Sequence, residues 1–305
     1  MPSRAWVIAF ALSATPASAT YSITAVDTRT REVGGSGASC VPYEVIRIYA
    51  GIPNRGAVNG QANLDDKILA AAAARLREGW DAAAVLAEVT STAVFPQADK
   101  MQWGIVDVNG GVAHATGSAA PTFAGDQEGR TADGRYAFST QGNILTSARV
   151  LERASTGFLS GGCDLAERLV LALEAAGSQN EGDSRCTRNG YPAASAYVEV
   201  TGTSGTIFRV SVPDVSPQDP TPFVRRAFDE YRAAHPCPVN QPSAPSPRTT
   251  ADATGCTCAT QPSSSRSAAW LVALATSLWS ARRRLTTSRQ KRTAVHVGKN
   301  VHGES

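Results

Sequence analysis

Several familiar signatures are missing from this 305-residue chain, and each absence removes a class of function. There is no Gly-x-x-x-x-Gly-Lys-Ser/Thr run and no Gly-x-Gly-x-x-Gly, so neither phosphate-cradling loop is encoded. No Cys-x-x-Cys occurs, and the four histidines (His114, His235, His296 and His302) lack ligand-like spacing. Both facts argue against a zinc site. Gly125-Asp126 and Asp133-Gly134 are fragments of a calcium loop without its remaining ligands. No metal and no cofactor is therefore expected. Charged residues make up only 18% of the chain, below the usual ~25%. No apolar run reaches the ~18 residues of a spanning helix.

What charge there is lies unevenly. Residues 20–235 hold 19 basic and 24 acidic side chains, whereas residues 236–305 hold nine basic and two acidic ones. The net charge of +3 belongs to the tail, so it is no argument for nucleic-acid binding, and no nucleic-acid partner is expected. Apolar residues at 42% support a real core. Cys40, Cys163, Cys186 and Cys237 lie in or beside the body, with Cys256 and Cys258 in the tail. The four body cysteines allow three pairings, and sequence does not choose among them.

Residues 1–19 read as a secretory leader. Arg4 supplies the positive start, Trp6 to Leu12 the apolar run, Pro16 the break and Ala17-Ser18-Ala19 the small-residue cleavage site. A retained N-terminal anchor is the alternative. Cleavage by signal peptidase after Ala19 makes Thr20 the first residue of the mature chain. Thr20 then carries a hydroxyl and a free α-amine together. A threonine hydroxyl needs a base to take its proton. An α-amine, with a pKa near ~8, is partly neutral at physiological pH and can be that base.

Residues 20–63 predict strands and turns, at Tyr21–Val26, Glu32–Cys40, Val45–Ala50 and Ala57–Ala62. Residues 64–91 predict two helices, divided at Gly79, with Ile68, Leu69, Ala72, Ala73 and Leu76 on one face. Gln102–Val108 and Gly111–Thr116 flank Asn109-Gly110, a strong hairpin signal. A Gly/Asp/Thr-rich loop is expected next, then a strand over Arg135–Asn143. Helices are expected at Thr146–Ala154 and Asp164–Ala176, the second with Asp164 and Glu167 as a capping box and Gly177 as its stop. A loop through Gly182–Cys186, strands at Ala194–Val200 and Thr206–Val212, and a helix over Pro222–Ala234 complete the body. Strands interleaved with consecutive helix pairs indicate an α+β fold rather than βαβ units.

The order of several short motifs is more telling than any one of them. These are Thr20-Tyr21-Ser22-Ile23-Thr24-Ala25-Val26-Asp27, Gly35-x-Gly37-Ala38-Ser39-Cys40 and Gly56-Ala57-Val58-x-x-Gln61-Ala62-Asn63. Trp103-Gly104-Ile105-Val106-Asp107, Thr116-Gly117 and Gln141-Gly142-Asn143-Ile144-Leu145 follow. Together, over roughly residues 20–212, they resemble the N-terminal-nucleophile hydrolase family catalogued as domain of unknown function 1028. The resemblance implies an αββα four-layer sandwich with residue 20 as nucleophile. Val41-Pro42-Tyr43-Glu44 and Ala57-Val58-Asn59-Gly60 depart from the family pattern.

The helper residues follow from what the chemistry needs. An oxyanion requires aimed hydrogen-bond donors, and Asn143 or the Gly142 N–H is the candidate; the same Gln141-Gly142-Asn143 step also suits a strand-end turn. Gln61, Asn63, Gln141 and Gly142 are candidate substrate-binding residues. Asp27 suits either orientation of the α-amine or the start of a turn. Related threonine hydrolases often use a lysine, but the body has only Lys67 and Lys100, and neither is assigned; nor is Arg47. A Cys40–His114 dyad is the rival nucleophile.

From Pro236 the composition changes to a Pro/Ser/Thr linker over 236–254. Residues 255–284 combine Gly255-Cys256-Thr257-Cys258, the apolar stretch Ala268–Ala281 and Arg282-Arg283-Arg284. That set resembles the C-terminal sorting tails of myxobacterial type, with an ordinary membrane anchor as the alternative. Residues 285–305 are expected to be a basic disordered tail. The sequence thus predicts an exported protein, held at the cell surface or outer envelope, or released from it. Its body, 20–235, is expected to hydrolyse an amide bond in a small or peptide-like substrate. Sorting machinery and a membrane, met through the tail, are the other expected partners. The alternative is a catalytically silent surface binding domain on the same fold.

Overall fold

A computed structural model describes residues 20–237. The leader at 1–19, all but the first two residues of the linker, the 255–284 segment and the basic tail lie outside the described residues. The elements in chain order are β1 (Thr20–Asp27), β2 (Glu32–Ser39), β3 (Tyr49–Ile52), β4 (Gly56–Ala62), α1 (Asp66–Glu78), α2 (Ala82–Val89), β5 (Met101–Asp107) and β6 (Val112–Thr116). They continue with β7 (Gly125–Arg130), β8 (Tyr136–Asn143), α3 (Arg149–Leu159), α4 (Leu165–Ala176), α5 (Ser184–Thr187), β9 (Ser195–Thr201), β10 (Thr206–Val212) and α6 (Thr221–Ala234). The strands form two antiparallel sheets, one of six strands in the order β10-β9-β2-β1-β8-β7 and one of four in the order β3-β4-β5-β6. Among the described residues no helix is long and apolar enough to cross a membrane.

Strand alternation sorts β1 into two faces. Tyr21, Ile23 and Ala25 enter an apolar cluster with Phe138 of β8, Val150 and Phe158 of α3, Leu169 and Leu173 of α4, and Phe228 of α6. Thr20, Ser22, Thr24 and Val26 turn the other way, toward the second sheet. That sheet does the same: Met101, Trp103 and Ile105 join Leu69, Leu76 and Val85 of α1 and α2, while Gln102, Gly104 and Val106 face inward. The space between the sheets is divided. Val26, Val33, Tyr49, Ala57, Val106 and Tyr197 make one half apolar. The half at the Thr20 end is polar, and its side chains hydrogen-bond one another.

Local chemistry explains most boundaries. Asp65 caps α1 by accepting from Lys67 N–H at 2.8 Å, Asp81 caps α2 through Ala84 N–H at 2.7 Å, and Asp164 caps α4 through Glu167 N–H at 3.0 Å. Gly79 ends α1 at φ +92°, a left-handed backbone that glycine takes without strain. Asp27 starts the β1–β2 turn, its Oδ1 accepting from Arg29 N–H at 2.9 Å. Between the sheets, Gly104 leaves no room for a side chain, because a Cβ there would lie 2.1 Å from Gln141 Oε1.

Four expectations are corrected. Val45–Ile48 is a short 3-10 helix and the strand is Tyr49–Ile52; the β-branched residues there bury into the inter-sheet cluster instead of pairing. Gly125–Arg130, expected as loop, is strand β7, held by β8 alone at the sheet edge. The helix expected from Thr146 begins at Arg149, because Thr146 and Ser147 spend their hydroxyls on Glu181. Within the Gly182–Cys186 loop lies the start of the four-residue helix α5, capped by Asp183 through Arg185 N–H at 3.0 Å.

Candidate active site

Thr20 opens an interior strand of the six-stranded sheet, lying opposite Ser39 of β2 on one side and Asn143 of β8 on the other. It is buried. Its Oγ1 donates to Ser39 Oγ at 3.2 Å. Its carbonyl oxygen accepts from Gln61 Nε2 at 3.1 Å, so the residue is gripped from the second sheet as well. Ser22 donates to Gln61 Oε1 at 2.7 Å and accepts from Gln141 Nε2 at 2.5 Å.

The centre of this network is Gln102 of β5, which sequence reasoning noted only as the start of a strand. Its Oε1 accepts from Gln61 Nε2 at 3.1 Å and from Asn143 Nδ2 at 3.0 Å. Its Nε2 donates to Gly142 O at 2.7 Å and Thr116 Oγ1 at 2.9 Å. Thr116 in turn donates to Asp126, which also holds His114 Nδ1. One end of Asn143 has no such partner. Its Oδ1 is buried and unpaired among the described residues, beside Thr20 in the ladder. Buried polar atoms of that kind are uncommon and call for an explanation. None of Thr20, Ser22, Ser39, Gln61, Gln102, Gln141 and Asn143 has an ionisable side chain. Deeper between the sheets, burial pushes the phenols of Tyr49 and Tyr197 well above their ordinary range, and both stay neutral.

A pocket opens beside Thr20, lined also by Ser39, Val41, Tyr43, Val45, Ile48, Gln61, Ala62 and Leu64. One wall is the β2–β3 connection. It is tied down at Cys40, whose sulfur bonds Cys186 of α5 and whose N–H donates to Asp183 Oδ2 at 2.7 Å. Asp183 is itself held by Arg185 at 2.9 Å. The second disulfide joins Cys163 and Cys237. Of the three possible pairings this is the one the fold selects. The rival dyad is excluded: Cys40 is oxidised to a disulfide and His114 pairs with Asp126. The cluster Cys163, Glu167 and Cys237 is no ligand set for the same reason, since its sulfurs bond each other.

A family model described as a family of unknown function, DUF1028, matches residues 20–220. The chain belongs to the DUF1028 family. The DUF1028 region begins at Thr20 itself. The chain is also similar to the crystal structure of protein SPO2555 from Silicibacter pomeroyi, described with the same family. That similarity has a TM-score of 0.56 and 21% identity, over 70% of this chain and 89% of that one. At that identity it speaks for the fold alone. No curated protein matches the chain.

Within the DUF1028 region the expected site residues separate into groups. Thr20, Asn143, Gln61, Gln141 and Gly142 meet in one network. Both Nε2 hydrogens of Gln61 and its Oε1 are engaged within the protein, as are Gln141 Oε1, with Ser139 at 3.0 Å, and Nε2. Gly142 stands in the ladder, opposite Tyr21 and Gly125. Asn63 is partly exposed beyond the end of β4, its N–H on Lys100 O at 3.2 Å. Asp27 lies at the far end of β1 from Thr20, seven residue steps or about 23 Å away; it holds Arg135 at 2.5 Å and the turn instead. Arg47 is exposed and pairs with Asp66 at 2.9 Å.

Proposed function

We propose that the chain is the precursor of an exported N-terminal-threonine amidohydrolase on an αββα sandwich of the N-terminal-nucleophile type. Removal of residues 1–19 is its activation step. The observation that carries the proposal is the position of Thr20. It is the first residue of one of the two central strands of the six-stranded sheet and the first residue of the family match, with its hydroxyl beside a pocket. In the precursor its nitrogen is an amide bonded to Ala19 and has no basic lone pair. Cleavage turns that nitrogen into an amine, a base on the same residue as the hydroxyl, whose immediate neighbours Ser22, Ser39, Gln61 and Asn143 are hydroxyls and carboxamides.

In the proposed cycle Thr20 Oγ1 attacks the substrate carbonyl carbon as its proton passes to the α-amine. Asn143 uses both ends: its unpaired Oδ1 accepts from the new ammonium, and the Nδ2 hydrogen not given to Gln102 faces the oxyanion. Collapse breaks the carbon–nitrogen bond, and the leaving amine takes the proton. Water then attacks the ester carbonyl, giving its proton to the α-amine; the carbon–Oγ1 bond breaks, Oγ1 takes that proton back, and the carboxylic acid leaves. Ser39, Gln61 and Gln102 are positioning residues that fix Thr20 and Asn143. Two disulfides are compatible with an extracellular location. The sorting tail at 255–284 would hold the enzyme at the surface.

An electrophilic β-lactone probe tests the nucleophile. The mature protein should be labelled on residue 20, Thr20→Ser should retain labelling and Thr20→Ala should lose it. Equal labelling of wild type and Thr20→Ala would remove Thr20 from the chemistry, and absence of labelling in both favours a silent binding domain.

A further inference from the structure

If Thr20 is the nucleophile, the pocket next to it receives the acyl side of the substrate. We infer that this acyl group is short, aliphatic and uncharged, of about acetyl size. The inference rests on the proposed role of Thr20, and adds to it a substrate class read from the walls.

Apart from Thr20, Ser39, Gln61 and the rim residue Tyr43, the walls are aliphatic. Val41, Val45 and Ile48 come from the β2–β3 connection, Ala62 from the end of β4 and Leu64 from the lead into α1. Tyr43 forms the rim and is the exposed member of the set. The connection does carry charges, but they are engaged outside the pocket. Glu44 accepts from Ser211 Oγ at 3.1 Å, and Arg47, which lies over the ring of the rim residue Tyr43 at 5.2 Å, gives its guanidinium to Asp66. The polar atoms that do line the pocket are spoken for: Gln61 gives its hydrogens to Thr20 O and Gln102. A carboxylate or ammonium on the acyl group would lose its water and find no opposite charge, the costly form of burial.

Size follows from rigidity as well as from volume. The pocket has about 10 Å3 of room, close to a single water site. Its floor residues Val45 and Ile48 are 1% and 5% exposed and belong to the inter-sheet core. The connection is stapled at Cys40 by a disulfide and by Asp183. A wall held at both its root and its floor does not retreat cheaply for a longer chain.

The test acylates the mature protein with matched p-nitrophenyl esters and reads the adduct on residue 20 by mass. Acetyl, butyryl, hexanoyl and succinyl esters are compared as initial rates. Acetyl transfer should exceed butyryl, hexanoyl and succinyl transfer by about ten-fold or more, the discrimination that a tight apolar pocket gives per extra methylene. Ile48→Val, which removes one methylene from the floor, should shift the preference toward the longer ester with the melting temperature recorded alongside. Butyryl, hexanoyl or succinyl transfer as fast as acetyl, on residue 20, overturns the substrate class and leaves the nucleophile standing. No adduct on residue 20 from any ester, or an adduct that survives Thr20→Ala, overturns the nucleophile and the substrate class with it.

Discussion

Replacing Gln102 by leucine keeps the side chain near its native size and removes the hub that joins the two sheets at the Thr20 end. Two buried donors are stranded: the second Nε2 hydrogen of Gln61 and the bonded Nδ2 hydrogen of Asn143, which now reach Gln102 at 3.1 and 3.0 Å. Leaving a buried donor unmet costs about 1–3 kcal/mol. The loss for two is therefore about 2–6 kcal/mol, before counting the bond to Gly142 O at 2.7 Å. Urea unfolding with disulfides intact measures it, with fluorescence of the fully buried Trp103 as the probe. The midpoint should fall and the slope should stay constant. For a domain of this size each kcal/mol moves the melting temperature by about 2–4 °C. Gln127→Leu is the control, since Gln127 bonds Leu151 O and Ser155 Oγ on the outer side of β7 and is only partly buried. A loss below about 1 kcal/mol for Gln102→Leu, equal to the control, would refute the claim that Gln102 is the buried hub of this network.

Three further outcomes follow from the same physics. Arg135→Met strands the Asp27 carboxylate, which is fully buried and held by the guanidinium at 2.5 Å; a loss of about 3–5 kcal/mol in urea unfolding is expected, largely recovered by adding Asp27→Asn. Removing the Cys40–Cys186 bridge by paired serine substitutions opens a link between residues 146 apart. The chain-entropy scale gives about 5 kcal/mol for it, of which about 2–4 is typically realised, as calorimetry will show. Burial pushes the Glu181 carboxyl up, but hydrogen bonds from Thr146, Arg149 and Ser147 outweigh that and hold it below its ordinary value. The stability this carboxylate contributes is present above the ordinary glutamate pKa of ~4.3 and is lost as the pH falls through the lower folded value. The melting-temperature gap between wild type and Glu181→Gln should therefore close between about pH 5 and pH 3.

Legibility in the sequence followed the range of the interactions. Asp65, Asp81 and Asp164 each cap a helix within three residues, and the Asp164 cap forms where the sequence places it. The Asn109-Gly110 turn and its flanking strands are equally local. Strand β7 was hidden because Gly-Asp-Gln-Glu-Gly-Arg has no apolar alternation; only pairing with β8 makes it a strand. The Val45–Ile48 turn misled in the opposite sense, its β-branched residues being chosen for burial and not for pairing. At the site, Thr20 stood out as the residue after the leader's cleavage site, and Gln61, Gln141, Gly142 and Asn143 as polar or turn residues within motifs that carry the resemblance. Gln102 did not, because its partners at Gln61 and Asn143 are 41 residues away on each side. One signal was available: a lone Gln at the inward period of a strand whose next inward residues are Gly104 and Val106 is a polar residue bound for burial.

The proposed chemistry depends on one peptide bond, Ala19–Thr20. Intact mass and N-terminal sequencing of the full chain, expressed in a host that exports it, test that bond directly. Thr20 should be the first residue of the mature protein. A mature chain that begins at any other residue would leave Thr20 without a free α-amine, and the proposed chemistry would be contradicted.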